Sequence, residues 1–225
     1  MRKKRIIVTE KYWVTIIKAM DKLIAELLRE GALRNPLVLS AFTDVDRADF
    51  VLPKYRAEAY QNYPLPIGYG QTISQPYTVA FMMDLLDPKP GHKILEAGSG
   101  CGWQTAMLAH IVGVKGNICA MEIIPELVAF GKNNVAKYPD LAKRVTFFAH
   151  SAENGLPEHD PFDRIIAAAS AQEIPPAWKK QITVGGKIVA PVDEDIRVLT
   201  KIGEVEFEEK VFPGFIFVPF VRKTN

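Results

Sequence analysis

The stretch that most constrains this chain is Lys93-Ile94-Leu95-Glu96-Ala97-Gly98-Ser99-Gly100-Cys101-Gly102-Trp103. An apolar run ends in an acid, glycines follow at alternate positions, and an apolar helical pattern begins at once. That order predicts a buried strand turning sharply into a helix. Glycine lets the backbone turn tightly and approach a ligand with no Cβ in the way. In open parallel sheets such a turn lies at the carboxyl end of a strand, where ligands bind.

Glycines also mark ordinary tight turns, so the spacing has to discriminate. A dinucleotide fingerprint, Gly-x-Gly-x-x-Gly/Ala, begun at Gly98 would put its third small residue at position 103, which is Trp. The spacing Gly98-x-Gly100-x-Gly102, preceded by Glu96, instead resembles the first motif of S-adenosylmethionine-dependent methyltransferases. Ile118-Cys119-Ala120-Met121-Glu122 predicts the next strand, again ending in a carboxylate. An acid there can accept both hydroxyls of a ribose. It can also be a solvated acid at the start of the helix that Pro125 opens, favoured by the helix dipole. Together with the glycine turn, ribose binding is the stronger reading.

At 225 residues and 48% hydrophobic, the chain can bury one sizeable core. Its 28 basic and 26 acidic side chains make no electrostatic case for nucleic acid. The basic start Met1-Arg2-Lys3-Lys4-Arg5 is followed by only Ile6-Ile7-Val8, too short for a signal peptide or a membrane span. No membrane partner is expected, and a solvated terminus is. Cys101 and Cys119 make no disulfide framework, which fits a reducing cytoplasm. The four histidines lack metal-ligand spacing, so no metal is expected.

Taken in order, Val14 to Leu28 carries helical periodicity through Ile17, Met20, Ile24, Leu27 and Leu28, with Gly31 as its stop. Asn35-Pro36 starts a second helix with Val38, Leu39 and Phe42 inward. Residues 1–60 are thus expected to form a helical cap. Residues 61–76 form a proline- and glycine-rich loop, read as irregular, and such apolar loops tend to line sites. Pro76 opens a helix through Leu86. Within residues 77–225, strands at Val145–Ala149, Arg164–Ala169 and Lys187–Val192 alternate with helices marked by Leu127, Phe130 and Val135 and by Ile174–Trp178. The tail reads as three further strands, Ile196–Ile202, Val205–Val211 and Phe215–Val221. The fold class expected is α/β: one domain over 1–225, a doubly wound, mostly parallel sheet with an N-terminal helical cap and antiparallel edge strands at the C-terminus.

The loop makes the resemblance specific. Asp49-Phe50-Val51, Tyr55-Arg56, Ala59-Tyr60 and Pro64-Leu65-Pro66-Ile67-Gly68-Tyr69-Gly70-Gln71-Thr72-Ile73-Ser74-Gln75-Pro76 closely resemble the protein-L-isoaspartate O-methyltransferase family. The glycine turn, Glu122-Ile123-Ile124-Pro125-Glu126-Leu127, Gly185-Gly186-Lys187 and Phe217-Val218-Pro219-Phe220 match in the same order. The resemblance implies a Rossmann-like methyltransferase fold. It also implies S-adenosyl-L-methionine as cofactor, S-adenosyl-L-homocysteine as its product, and isoaspartyl proteins and peptides as substrates of a monomeric enzyme. Cofactor contacts are implied at Glu96, Gly98, Gly100, Gly102, Glu122 and Ile123. Where the family usually carries Gly-Asp-Gly, with the acid on the adenine amine, this chain has His150-Ser151-Ala152, which puts Ser151 and Ala152 at the adenine.

Methyl transfer to a carboxylate needs no strong base, because side-chain carboxyls are ionised near neutral pH. Orientation and exclusion of water remain. The resemblance gives Ser74 the central role, with Thr72 beside it. Spacing alone favours Ser74 as an N-cap of the helix that Pro76 opens. Ile67, Tyr69, Gln71 and Ile73 are expected around the substrate, or in plain packing. Two rivals stand beside this reading: a methyltransferase acting on aspartates of one dedicated peptide partner, and a cofactor-binding interaction protein without turnover.

Overall fold

The computed structural model describes residues 10–220, with side chains described from Ala19 onward. The basic start Met1–Arg5, the inward positions Val14 and Ile17, and Val221 therefore lie outside the described residues or side chains. Helix α1 spans Glu10–Arg29 and α2 Pro36–Asp44. Asn35 caps α2, its side chain accepting from the Leu37 N–H at 2.9 Å, with Pro36 at the first turn. Two short 3₁₀ turns, Arg47–Asp49 and Pro53–Glu58, lead to strands β1 (Leu65–Gly68) and β2 (Gln71–Ile73). Then follow α3 (Pro76–Leu86), β3 (Lys93–Ala97), α4 (Trp103–Val112), β4 (Asn117–Met121), α5 (Pro125–Val135), α6 (Pro139–Ala142) and β5 (Val145–Phe148). The chain closes with β6 (Phe162–Ala167), α7 (Pro176–Gln181), β7 (Ile182–Val192), β8 (Asp195–Lys201) and β9 (Phe207–Pro213).

Seven strands form the main sheet in the order β5-β4-β3-β6-β7-β8-β9. The run from β5 to β7 is parallel; β8 and β9 are antiparallel. From β3 the chain steps outward to β4 and β5, then returns to the opposite side of β3 as β6. That reversal opens a crevice beyond the carboxyl end of β3. Both faces of the sheet's centre, at β3, β4 and β6, are dry, as a parallel sheet requires, while the edge strands β5 and β9 are partly exposed. Ile94, Ile118, Ile166 and Val189 face α1 to α5, where Leu27, Phe42, Met83, Met107 and Val135 pack. Their chain neighbours Leu95, Cys119, Ile165 and Ile188 face the other way, against Trp178 and Leu156.

Three expectations need correction. The 61–76 loop is not irregular: β1 and β2 pair as an antiparallel hairpin. Its two-residue turn, Tyr69-Gly70, has both φ angles positive, 54° and 70°, the geometry that matches hairpin twist. Pro66 is tolerated because a two-stranded ribbon consists of edges only. Gly185-Gly186 does not precede a strand but lies within β7, where the pairing with β6 shifts register between Phe162 and Arg164. A Cβ on Gly186 would stand 2.9 Å from the Asp163 carbonyl, so this bulge is closed to larger residues. Phe215–Phe220 is not a third tail strand. Gly214 and Phe215 both donate to the Glu194 carbonyl, which turns the chain off β9. The segment continues as a strap bonded to Ser170, through Ser170 N to Val218 O (2.9 Å) and Phe220 N to Ser170 O (2.7 Å). Pro219 has no N–H with which to extend a ladder.

The crossing of α5 over the glycine turn gives a test. In mid-helix, Gly to Ala ordinarily stabilises by about 1 kcal/mol. A Cβ on Gly131 would stand 2.8 Å from the Gly100 carbonyl, and one on Gly102 would stand 2.9 Å from the Gly131 carbonyl. Gly131→Ala is therefore expected to destabilise, by roughly 1–3 kcal/mol, in chemical unfolding. A gain in stability would show that α5 is free to move off the turn.

Candidate active site

The crevice is a cleft of about 600 Å³ that crosses the carboxyl ends of β5, β4, β3 and β6 in turn. His150, Ser151 and Ala152 line it after β5, Glu122 and Ile123 after β4, Gly98 and Gly100 after β3, and Ala168 and Ala169 after β6. Ile67, Gln71 and Thr72 of the hairpin and Val218–Phe220 of the strap complete the walls.

Local backbone geometry explains the glycines. Gly98 and Gly100 have φ of 83° and 52°, in the left-handed region. The Gly98 and Ser99 N–H groups both donate to the Met121 carbonyl, at 2.8 and 3.0 Å, pinning the turn to the end of β4. Glu122 closes the same joint: its two oxygens accept from Gly100 N (3.0 Å) and Ile124 N (3.1 Å). A carboxylate has about four lone-pair sites, so two backbone donors leave acceptor capacity for ligand hydroxyls. Gly102 does not line the cleft. It sits under α5, as the Gly131 contact requires.

Glu96 is fully buried, with its carboxyl accepting from Thr105 Oγ1 (2.5 Å) and Gln104 Nε2 (3.1 Å) of α4. Burial pushes its pKa up to about 7, partly offset by those two bonds, with Glu122 adding a smaller upward push. It lines a smaller cavity of about 340 Å³ behind the turn, shared with Thr72, Ile73, Ser74 and Ser99. The Ser99 hydroxyl is buried there without a partner.

Ser74 does not cap α3. Gln75 holds the N-cap position, without a side-chain cap bond. Among the described residues the Ser74 hydroxyl has no hydrogen-bond partner, and it opens onto a further depression of about 770 Å³, with Pro64, Thr78 and the strap residues Ile216–Val218. Thr72 and Ala168 line this depression, the cleft and the smaller cavity alike. The three spaces meet at those two side chains. Tyr69 stands 60% exposed at the hairpin tip, away from this junction's walls, while Ile67 and Ile73 are buried. Ser151 Oγ accepts from Glu153 N at 3.3 Å. Burial lifts the Cys101 thiol to about 11, which leaves it a protonated filler rather than a nucleophile.

One residue escaped sequence reading. Arg47, set among acids in Asp44–Asp49, reads as a surface ion pair, yet its side chain is fully buried. Its fork donates to four carbonyls: Ala59 (2.8 Å) and Gln61 (3.2 Å) through Nη1, Tyr63 (3.1 Å) and Ser74 (3.0 Å) through Nη2. The guanidinium also lies over the Trp103 ring, 5.3 Å from its centroid. Burial brings its pKa down to about 10, which still leaves it charged at neutral pH. The absence of any helical or strand period around Arg47 gave no warning.

Two outcomes follow from these geometries. Lys cannot reproduce a planar fork, so Arg47→Lys is expected to cost about 2–4 kcal/mol by leaving carbonyls unpaired. Unfolding within ~0.5 kcal/mol of the unaltered protein would refute the clamp. Glu96 has a folded pKa above its unfolded value of 4.5, so its stabilising contribution is complete below pH 4.5 and is lost as pH rises through about 7. Glu96→Gln is therefore expected to match the unaltered protein near pH 4.5 and exceed it at pH 8 by up to about 3 kcal/mol. Equal pH profiles in thermal unfolding would contradict the shift.

Comparison with known proteins agrees with the geometry. The family described as protein-L-isoaspartate(D-aspartate) O-methyltransferase matches residues 18–225. A protein-L-isoaspartate O-methyltransferase of Staphylothermus marinus is 41% identical over 209 residues, covering 89% of this chain and 92% of its own. One from Methanothrix thermoacetophila is 42% identical over 200 residues, covering 85% and 92%. A solved Plasmodium falciparum beta-aspartate methyltransferase, in complex with S-adenosyl-L-homocysteine, superposes with a TM-score of 0.80 at 25% identity, covering 89% of this chain and 97% of that one. With a family match that runs from residue 18 to residue 225 and relatives about 40% identical over most of its length, the chain belongs to the protein-L-isoaspartate (D-aspartate) O-methyltransferase family.

Proposed function

We propose that this chain methylates the free α-carboxylate of L-isoaspartyl residues in damaged proteins, using S-adenosyl-L-methionine and releasing S-adenosyl-L-homocysteine. The observation that carries the reading is the junction at Thr72 and Ala168, where the cleft meets the depression that holds the unpaired Ser74 hydroxyl. The cleft suits the cofactor: no Cβ narrows it at Gly98 and Gly100, Glu122 has lone pairs to spare, and Ile123 offers an apolar side. Gly98, Gly100, Glu122, Ile123, Ser151 and Ala152 would hold it, with Gly102 and the buried Glu96 contributing through the turn's shape and charge. When bound, the cofactor supplies an electrophilic methyl group on a sulfonium.

The residues of this chain then have a positioning task. The Ser74 and Thr72 hydroxyls donate to the substrate carboxylate without adding a charge that would blunt it. Ile67, Gln71 and Ile73 fix the hairpin over the junction, and Tyr69 at the tip meets the peptide. Hairpin and strap exclude water, which strengthens each orienting hydrogen bond. The working unit is a monomer, with residues 1–60 as cap and 77–225 as core of a single domain. Two buried, unpaired cysteines are compatible with a cytoplasmic setting.

Methyl incorporation into two peptides differing only in isoaspartate or aspartate tests the substrate. Labelling confined to the isoaspartyl peptide is expected, and strong labelling of the aspartyl one would transfer the activity to a dedicated partner. Ser74→Ala is expected to lower kcat some tens to a thousandfold, for about 2–4 kcal/mol of lost orientation, and to leave cofactor binding nearly unchanged. An unaltered kcat at saturating isoaspartyl peptide would remove Ser74 from the chemistry.

A further inference from the structure

The cleft crosses the strand ends in a fixed order, and that order assigns a direction to the cofactor. This rests on the cofactor reading above. The ribose acceptor Glu122 follows β4, and the methyl group is delivered at Thr72 and Ala168, on the β3–β6 side. The base leaves the ribose opposite to the sulfur. It therefore lies on the β5 side, against His150, Ser151 and Ala152.

The exocyclic amine of adenine needs an acceptor there. The nearby oxygens already accept within the protein, which weakens them for a further donor. Ser151 Oγ accepts from Glu153 N at 3.3 Å, and the buried Ala152 carbonyl accepts from Trp178 Nε1 at 2.7 Å. Glu153, the next carboxylate along the chain, faces a separate depression with Pro175, Pro176 and Phe220. The Ser151 carbonyl lies 3.2 Å from His150 Nδ1. A carbonyl can only accept, so Nδ1 carries the proton of the neutral ring, and Nε2 is left as an acceptor. Phe148 meets the ring edge-on, with centroids 6.0 Å apart, and limits its swing. Among the described residues, no side-chain carboxylate lines this end of the cleft.

We propose that His150 Nε2 accepts the hydrogen bond from the adenine 6-amino group and so sets the base selectivity of the cofactor site. A 6-oxo purine presents an acceptor at the same place. It would face the Nε2 lone pair, and the ring could turn donor there only by giving up the Ser151 carbonyl or by taking up a second proton.

The test is calorimetric titration of the full-length protein with S-adenosyl-L-homocysteine and with its 6-oxo analogue, S-inosyl-L-homocysteine. Unaltered protein is expected to prefer the adenosyl ligand. His150→Ala is expected to weaken that ligand roughly five- to tenfold, the worth of one neutral hydrogen bond, and the inosyl ligand less than about twofold, so that the preference collapses. His150→Gln, whose amide oxygen accepts, is expected to recover part of it. His150 is exposed, so none of these changes threatens folding. An unchanged preference in His150→Ala, or equal weakening of both ligands, would overturn the proposal. Failure of the unaltered protein to bind either ligand is a different result: it would remove the cofactor reading itself, and this assignment with it.

Discussion

The structure depends on a buried cation that has no anionic partner among the described residues. Arg47 sits at the centre of the joint between helical cap, hairpin and sheet, and its partners are carbonyl dipoles rather than a carboxylate. Four acceptors and an indole face offset the desolvation that burial imposes. Tyr63 precedes β1 and Ser74 follows β2, so one planar group grips both feet of the hairpin. Trp103, the ring beneath it, is the first residue of α4 and donates through Nε1 to the Val45 carbonyl at 3.2 Å. The hairpin is thereby referenced to the helix that issues from the glycine turn. A two-stranded ribbon is marginal by itself; this one is rigid because it is bolted at its base.

On the other side of the cleft, the rigidity is electrostatic and local. The Met121 carbonyl and the Glu122 carboxylate together take three N–H groups from residues 98–100, so the ends of β3 and β4 move as one piece. Behind them lies Glu96, whose folded pKa near 7 makes this carboxyl the unusual acid of the site. A positive charge arriving in front of the turn would favour its ionised form. Cofactor charge and protein protonation are thus linked through a group that the ligand need not touch.

Much of this was legible from residues. The strand ends at Glu96 and Glu122, the helix starts at Pro36, Pro76 and Pro125, and the antiparallel finish followed from period and punctuation, because those signals are local. The hairpin was not, since Pro64 and Pro66 argue against a strand and only the Tyr69-Gly70 turn, with its positive φ at a tyrosine, rescues it. The strap was misjudged for the same reason in reverse. Phe215 and Phe217 alternate like a strand, but Phe215 stacks on Phe81 at 5.3 Å instead of pairing. Gly102 belongs to the motif by spacing and to helix packing by contact, a distinction that no pattern carries. Arg47 was invisible because its role depends on carbonyls brought together from distant backbone, and backbone leaves no trace in composition.

The strap has a consequence for traffic through the site. Val218 borders both the cofactor cleft and the depression that holds Ser74. A single extended segment, tied down at Glu194 and Ser170, is therefore a party wall with a tenant on each side. On the reading proposed above, cofactor and peptide would stand on opposite sides of that wall, and a shift of it made by one occupant would change the room left for the other.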